Sequence, residues 1–155
     1  MASIEEIKKA RLNMLELLKS EGIDPYPGKV PRDIDLFNLK QNFDHFEREN
    51  KTLSIAGRVM IIRGQGAILF AILFDGTDEL QVIIKKDHIG EKKFNLFSDS
   101  VDMGDFVSFT GLPTLSKTGE KSVMADSWIM ASKSLLPLPE KWAGLQDVEE
   151  RYRKR

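Results

Sequence analysis

Residues 53–85 read LSIAGRVMIIRGQGAILFAILFDGTDELQVIIK. Three short segments in it, LSIAGRVMIIR, AILFAILF and ELQVIIK, are rich in β-branched and aromatic residues, which predicts strands. Gly64 and Gly66 separate the first two, and Asp75-Gly76-Thr77-Asp78 separates the second and third as a hairpin turn would. Alternation along the second segment puts Phe70, Ile72 and Phe74 on one face and Leu69, Ala71 and Leu73 on the other. Both faces are apolar.

Downstream, HIGEKKFNLFSDSV (88–101) reads as a short helix. GDFVSFTGLP (104–113) and KSVMADSWIM (121–130) read as two further strands, joined across the turn-rich LSKTGE (115–120). Upstream, Ser3–Glu21 has helical spacing of Ile4, Ile7, Arg11 (through its stem), Met14, Leu15 and Leu18. Ser3 and Glu6 form a capping box at its start and Gly22 is a natural stop. A proline-stiffened loop, GIDPYPGKVP (22–31), leads to a second helix over Asp33–Glu49 with Ile34, Phe37, Phe43 and Phe46 as its apolar side.

The order is helix, helix, then β-β-β-α-β-β. Five short strands with one helix between the third and fourth is the order of an OB-fold, a small Greek-key barrel. The expected fold is therefore mainly β with α: a five-stranded barrel (51–132), an N-terminal helical extension (1–50) packed outside it, and a proline-spaced hinge (133–155).

Composition narrows the function. The chain of 155 residues is 41% hydrophobic and 30% charged, the balance of an ordinary globular protein. It has no cysteine, which removes disulfides and thiolate metal sites and fits a reducing cytoplasm. The start, MASIEEIKKA, has no basic region followed by an apolar core, and no apolar run is long enough to span a bilayer. His45 and His88 are far apart and read as surface residues rather than metal ligands. Phosphate loops, G-x-S-x-G and H-E-x-x-H are absent, so the expected reading is a binding domain. A net charge of −1 is low for a protein that holds nucleic acid mainly by its phosphates, so any such binding must lean on bases.

An OB-fold binds single strands on the face of its second and third strands, where aromatic rings stack on bases and polar groups read their edges. Phe70 on strand two, Gln81 on strand three, Arg58 on strand one and Glu120 before strand five fit that description. Taken alone, an apolar strand places Phe70 in the core, Arg58 and Gln81 among solvated barrel residues, and Glu120 in an ordinary turn. Lys85, Lys86, Lys92 and Lys93 read equally as phosphate contacts or as a solvated surface, and Trp128 and Trp142 read as packing residues.

The chain resembles the N-terminal anticodon-binding part of class II lysyl-tRNA synthetases. The resemblance is carried by GIDPYP, AGRVM, FAILFDGTDELQ, Gly104-Asp105 and TGEKSV, and most specifically by KSLLPLPEKWAGLQDVEERYRKR (133–155). It covers nearly the whole chain; the barrel portion alone fits aspartyl and asparaginyl relatives almost as well. The resemblance implies that Phe70 stacks on the middle anticodon base, that Gln81 flanks it, and that Arg58 and Glu120 read base edges. It implies lysine tRNA as partner, no cofactor for this domain, and ATP and magnesium in a catalytic domain following the hinge of a cytoplasmic, homodimeric parent enzyme. The 155 residues then read as a front portion of something longer, inactive alone. Two positions depart from the family pattern: Ala67 stands where lysine is common, and Phe74 where relatives are often polar. An OB-fold protein-interaction module is the alternative of a different class.

Overall fold

The structure is a computed structural model, which describes residues 3–138. Five strands, β1 (Leu53–Gln65), β2 (Ile68–Phe74), β3 (Glu79–Lys85), β4 (Phe106–Leu115) and β5 (Lys121–Ser132), close into a barrel in the order β1-β2-β3-β5-β4. All pairings are antiparallel except β3 with β5. This is the expected OB-fold order.

Helix α1 (Ile4–Ser20) starts where the sequence says it should. Ser3 Oγ accepts from the Glu6 N–H at 3.2 Å and Glu6 Oε2 accepts from the Ser3 N–H at 3.3 Å, satisfying two of the orphan donors of the first turn. Arg11, Leu15 and Leu18 form its buried stripe, while Ile4 is exposed.

The single helix expected over 33–49 is instead two: α2 (Leu36–Gln41) and α3 (Phe43–Glu49). Asn42, at φ −112° and ψ 23°, breaks the run, and its Nδ2 donates to the Asn38 carbonyl at 3.1 Å. The break also changes the buried side. Leu36 and Leu39 are fully enclosed, Phe43 joins them, and Phe37 is exposed. Helix α2 begins on the β2–β3 turn: Asp75 Oδ2 accepts from the Leu36 N–H at 2.9 Å and Thr77 Oγ1 from the Phe37 N–H at 3.2 Å. Carboxylates at this end complement the helix's free N–H groups. Leu18, Leu36 and Leu39 share one core with the barrel interior, so the extension is packed on the barrel.

The helix between β3 and β4 is also split, into α4 (Lys86–Ile89) and α5 (Glu91–Ser100) at Gly90, whose φ is 102°. Helix α5 buries Phe94 and Phe97 over one end of the barrel, and Phe97 meets Trp128 edge to face at 5.5 Å. Trp128 is thus a packing residue, and its Nε1 donates to the Lys93 carbonyl at 3.0 Å. Trp142 lies outside the described residues.

Where the chain leaves β5, a buried polar cluster fastens it. Lys133 Nζ sits 2.6 Å from Asp105 Oδ2, both side chains wholly enclosed. The Ser134 and Asp102 N–H groups donate to the same carboxylate, Tyr26 donates to the Lys133 carbonyl, and Arg11 donates to the carbonyl of Leu136. Burial raises the Tyr26 hydroxyl above its ordinary pKa, and the Asp105 charge adds to this. The N-terminal helix, the proline loop, the β4 approach and the first residues of the proposed hinge thus meet at one knot. Residues 139–155 of that hinge lie outside the described residues.

Candidate nucleic-acid interface

Phe70 is on the outside of the barrel. Leu69, Ala71 and Leu73 of β2 are buried inside, while Phe70 and Ile72 are half-buried on the outer face. Across the sheet, Phe70 stands opposite Arg63 of β1 and Ile83 of β3, and Ile72 opposite Gln81. Gln81 and Ile83 in turn stand beside Ser122 and Met124 of β5. Residues opposite one another share a face, so these side chains form one outward surface.

The β4–β5 turn rises over that surface. The Ser116 N–H donates to the Glu120 carbonyl at 2.9 Å, the Glu120 N–H to Ser116 Oγ at 3.0 Å, and Gly119 supplies φ 83°. Between this turn and the outer face of β2 and β3 lies a cleft of about 440 Å³. Arg63, Phe70, Gln81, Lys85, Lys117 and Glu120 are among the residues that line it. Three cations face one carboxylate there, although the chain as a whole carries −1. The cleft lining thus carries a local positive excess that the net charge does not show.

Of the four residues expected to act together, the structure brings three to the cleft: Phe70, Gln81 and Glu120. Gln81 is almost wholly buried at its floor. Its Oε1 accepts from Arg63 at 3.5 Å and its Nε2 donates to Ser122 Oγ at 3.2 Å. The Glu120 carboxylate is exposed and has no hydrogen bond or ion pair among the described residues, so both oxygens are free to accept.

Arg58 is elsewhere. It stands opposite Phe74 and Phe106, stacks on the Phe106 ring at 4.5 Å, and lines a separate hollow with Arg32 and Asp75. The arginine at the cleft is Arg63. Counting alternation from Arg58 would turn Arg63 inward, but β1 carries a bulge between Val59 and Ile61. The bulge reverses the parity: Val59 is fully buried and Ile61 is exposed, so Arg63 emerges on the same side as Phe70. A bulge leaves no mark in the alternation of an apolar strand.

Lys85 lines the cleft; Lys86 pairs with Glu91 at 3.7 Å and Lys92 with Glu21 at 3.7 Å, both away from it. Lys117, unremarked in the turn, joins Lys85 instead. His45 and His88 are exposed and pair with Glu49 and Asp126. Ala67 sits exposed at the tip of the β1–β2 hairpin, and Phe74 is exposed beside Arg58, off the cleft.

Residues 53–131, the whole barrel but for its last residue, match a family model described as an OB-fold nucleic acid binding domain under the heading tRNA anti-codon. The chain belongs to this family. Among curated relatives, a lysine–tRNA ligase of Thermotoga maritima is 40% identical over 156 residues, covering 98% of this chain and 31% of that protein. The lysine–tRNA ligase of Syntrophomonas wolfei subsp. wolfei is 41% identical over 153 residues, covering 99% of this chain and 30% of its own length. A lysine–tRNA ligase 2 of Methanosarcina mazei is 38% identical over 154 residues, with 99% and 30% covered. The OB-fold chain therefore spans about 31% of the length of the relatives it matches.

Proposed function

We propose that this chain is the anticodon-binding portion of a lysine–tRNA ligase and holds the anticodon loop of lysine tRNA in the cleft between β2, β3 and the β4–β5 turn. The observation that carries the proposal is the outward, half-buried ring of Phe70, with Arg63, Gln81 and Glu120 beside it. A base unstacked from the loop lies on that ring, gaining roughly 1–3 kcal/mol. The neighbouring groups then test its edge. Uracil, the base expected in the middle of a lysine anticodon, offers carbonyl oxygens to the Arg63 guanidinium and a ring N–H to an amide or carboxylate oxygen. Lys85 and Lys117 meet the flanking phosphates.

In the same reading, residues 1–50 brace the barrel of 51–132, and 133–155 lead towards a catalytic domain. That remaining part of the parent, a cytoplasmic homodimer, attaches lysine to the tRNA using ATP and magnesium. The barrel's contribution is to fix the far end of the tRNA so that the acceptor end reaches the catalytic site. No described helix is long and apolar enough to cross a membrane.

The test is a comparison of anticodon stem-loop RNAs by direct titration of the chain. Binding to UUU or CUU loops should exceed binding to GUC or GUU loops. Preference for GUC or GUU would move the chain to an aspartyl or asparaginyl type. Equal, negligible binding of all would favour a protein-interaction module.

A further inference from the structure

We propose that Ser122 is a positioning residue that decides which atom of the Gln81 amide faces the base, and so gives the cleft its requirement for a pyrimidine with a ring N–H. This rests on the nucleic-acid reading above. Ser122 is fully buried on β5, beside Gln81 in the parallel β3–β5 pairing. Its hydroxyl lies 3.1 Å from the Glu120 carbonyl oxygen. A carbonyl can only accept, so the single hydroxyl hydrogen is committed there. Towards Gln81, Ser122 is left with lone pairs and can only accept. The Gln81 NH₂ must therefore be the end that meets Ser122, at 3.2 Å.

The opposite end of the amide faces a donor. Arg63, which has donors and no acceptor, approaches Gln81 Oε1 at 3.5 Å. A flipped amide would set its carbonyl oxygen against the Ser122 lone pairs and its NH₂ against the guanidinium. Both neighbours select one orientation, and the site is buried, where a mispaired polar group is costly.

The consequence is chemical. Arg63 uses one Oε1 lone pair; the other has no partner among the described residues, and Gln81 and Phe70 line the same cleft. That acceptor needs an N–H. Uracil supplies one at N3; cytosine presents a lone pair at N3 and would face repulsion there. Without the Ser122 hydroxyl the amide loses half of its constraint and can turn its NH₂ to cytosine.

The experiment measures the ratio of dissociation constants for stem-loop RNAs with U or C at the middle loop position, using the full chain. The wild type should favour U by about ten- to a hundredfold. Ser122→Ala, assayed below its own melting transition so that the protein is folded, should bring the ratio to within about threefold. Ser122→Thr, which keeps the hydroxyl, should keep most of it. In a Gln81→Glu background the side chain ends in two equivalent oxygens, so adding Ser122→Ala there should change the ratio by less than about twofold. An undiminished ratio in Ser122→Ala, or none in the wild type, overturns the proposal. If Phe70→Ala loses both loops while Ser122→Ala keeps its ratio, Ser122 has no role and the binding face stands. Should Phe70→Ala bind both as the wild type does, the underlying reading fails.

Discussion

Arg63 and Phe70 stand directly opposite each other on β1 and β2, on the outer face of the barrel. The pairing sets a guanidinium beside an aromatic ring at the mouth of a cleft, and it exists only because a bulge between Val59 and Ile61 turns the end of β1 over. Arg58, five residues earlier in the same strand, is spent on the ring of Phe106. The two arginines should therefore separate in experiment. Arg63→Ala should weaken stem-loop RNA binding at least tenfold, as loss of a charge-assisted contact does, with little change in melting temperature. Arg58→Ala should leave RNA binding within about twofold and cost about 0.5–1 kcal/mol of stability through the lost stacking. Parallel RNA titrations and urea unfolding of the two variants check this.

Salt dependence should be shallow. With Lys85 and Lys117 as the phosphate contacts, the slope of log K against log salt should be about −1.4, from about −0.7 per neutralised phosphate on a single strand. Each of Lys85→Ala and Lys117→Ala should flatten it by about 0.7, whereas Lys92→Ala should leave it unchanged.

Asp75 links the β2–β3 turn to helix α2. Burial alone would raise its pKa, but hydrogen bonds from the Thr77 hydroxyl and from the Leu36, Thr77 and Asp78 N–H groups outweigh it and hold the carboxyl below the ordinary aspartate range. The half-buried Asp78 is lowered too, first by the Glu79 N–H and then by Lys40. A carboxyl that is more acidic when folded stabilises the fold above its unfolded pKa of about 4, and that stabilisation fades as pH falls through the lower, folded value. Urea midpoints should thus be flat at neutral pH and decline below about pH 4. Asp75→Asn should lower stability at pH 7 by about 1–2 kcal/mol and make the acid decline shallower.

The Lys133–Asp105 pair lies wholly inside the knot that fastens the end of β5. Lys133→Ala should cost about 3–5 kcal/mol, because it leaves a buried carboxylate without its counter-charge. Guanidinium unfolding would measure it. RNA affinity of the folded fraction should be unchanged, since Lys133 is remote from the cleft lining.

The element order was legible because each barrel strand is short, apolar and punctuated by glycine or a turn, and that order alone points to the barrel. The capping box at Ser3 and Glu6, the DGTD turn and the packing role of Trp128 were equally readable, being local or size-driven. The breaks at Asn42 and Gly90 were not, because helical periodicity runs across both. Choosing Phe37 over Leu36 as a core position followed from that unbroken helix. At the cleft, Phe70, Gln81 and Glu120 were found through the strand pattern and the family resemblance. Arg63 was not legible because nothing in an apolar strand marks the bulge that turns it outward, and Lys117 because a turn lysine has no periodicity to flag it.

The most direct test of the central claim is the affinity of Phe70→Ala for a stem-loop RNA bearing the UUU anticodon. Stacking on the outward, half-buried ring predicts a loss of about ten- to a hundredfold with a nearly unchanged melting temperature, and retention of affinity in Phe70→Tyr. Wild-type affinity in a folded Phe70→Ala protein would contradict it.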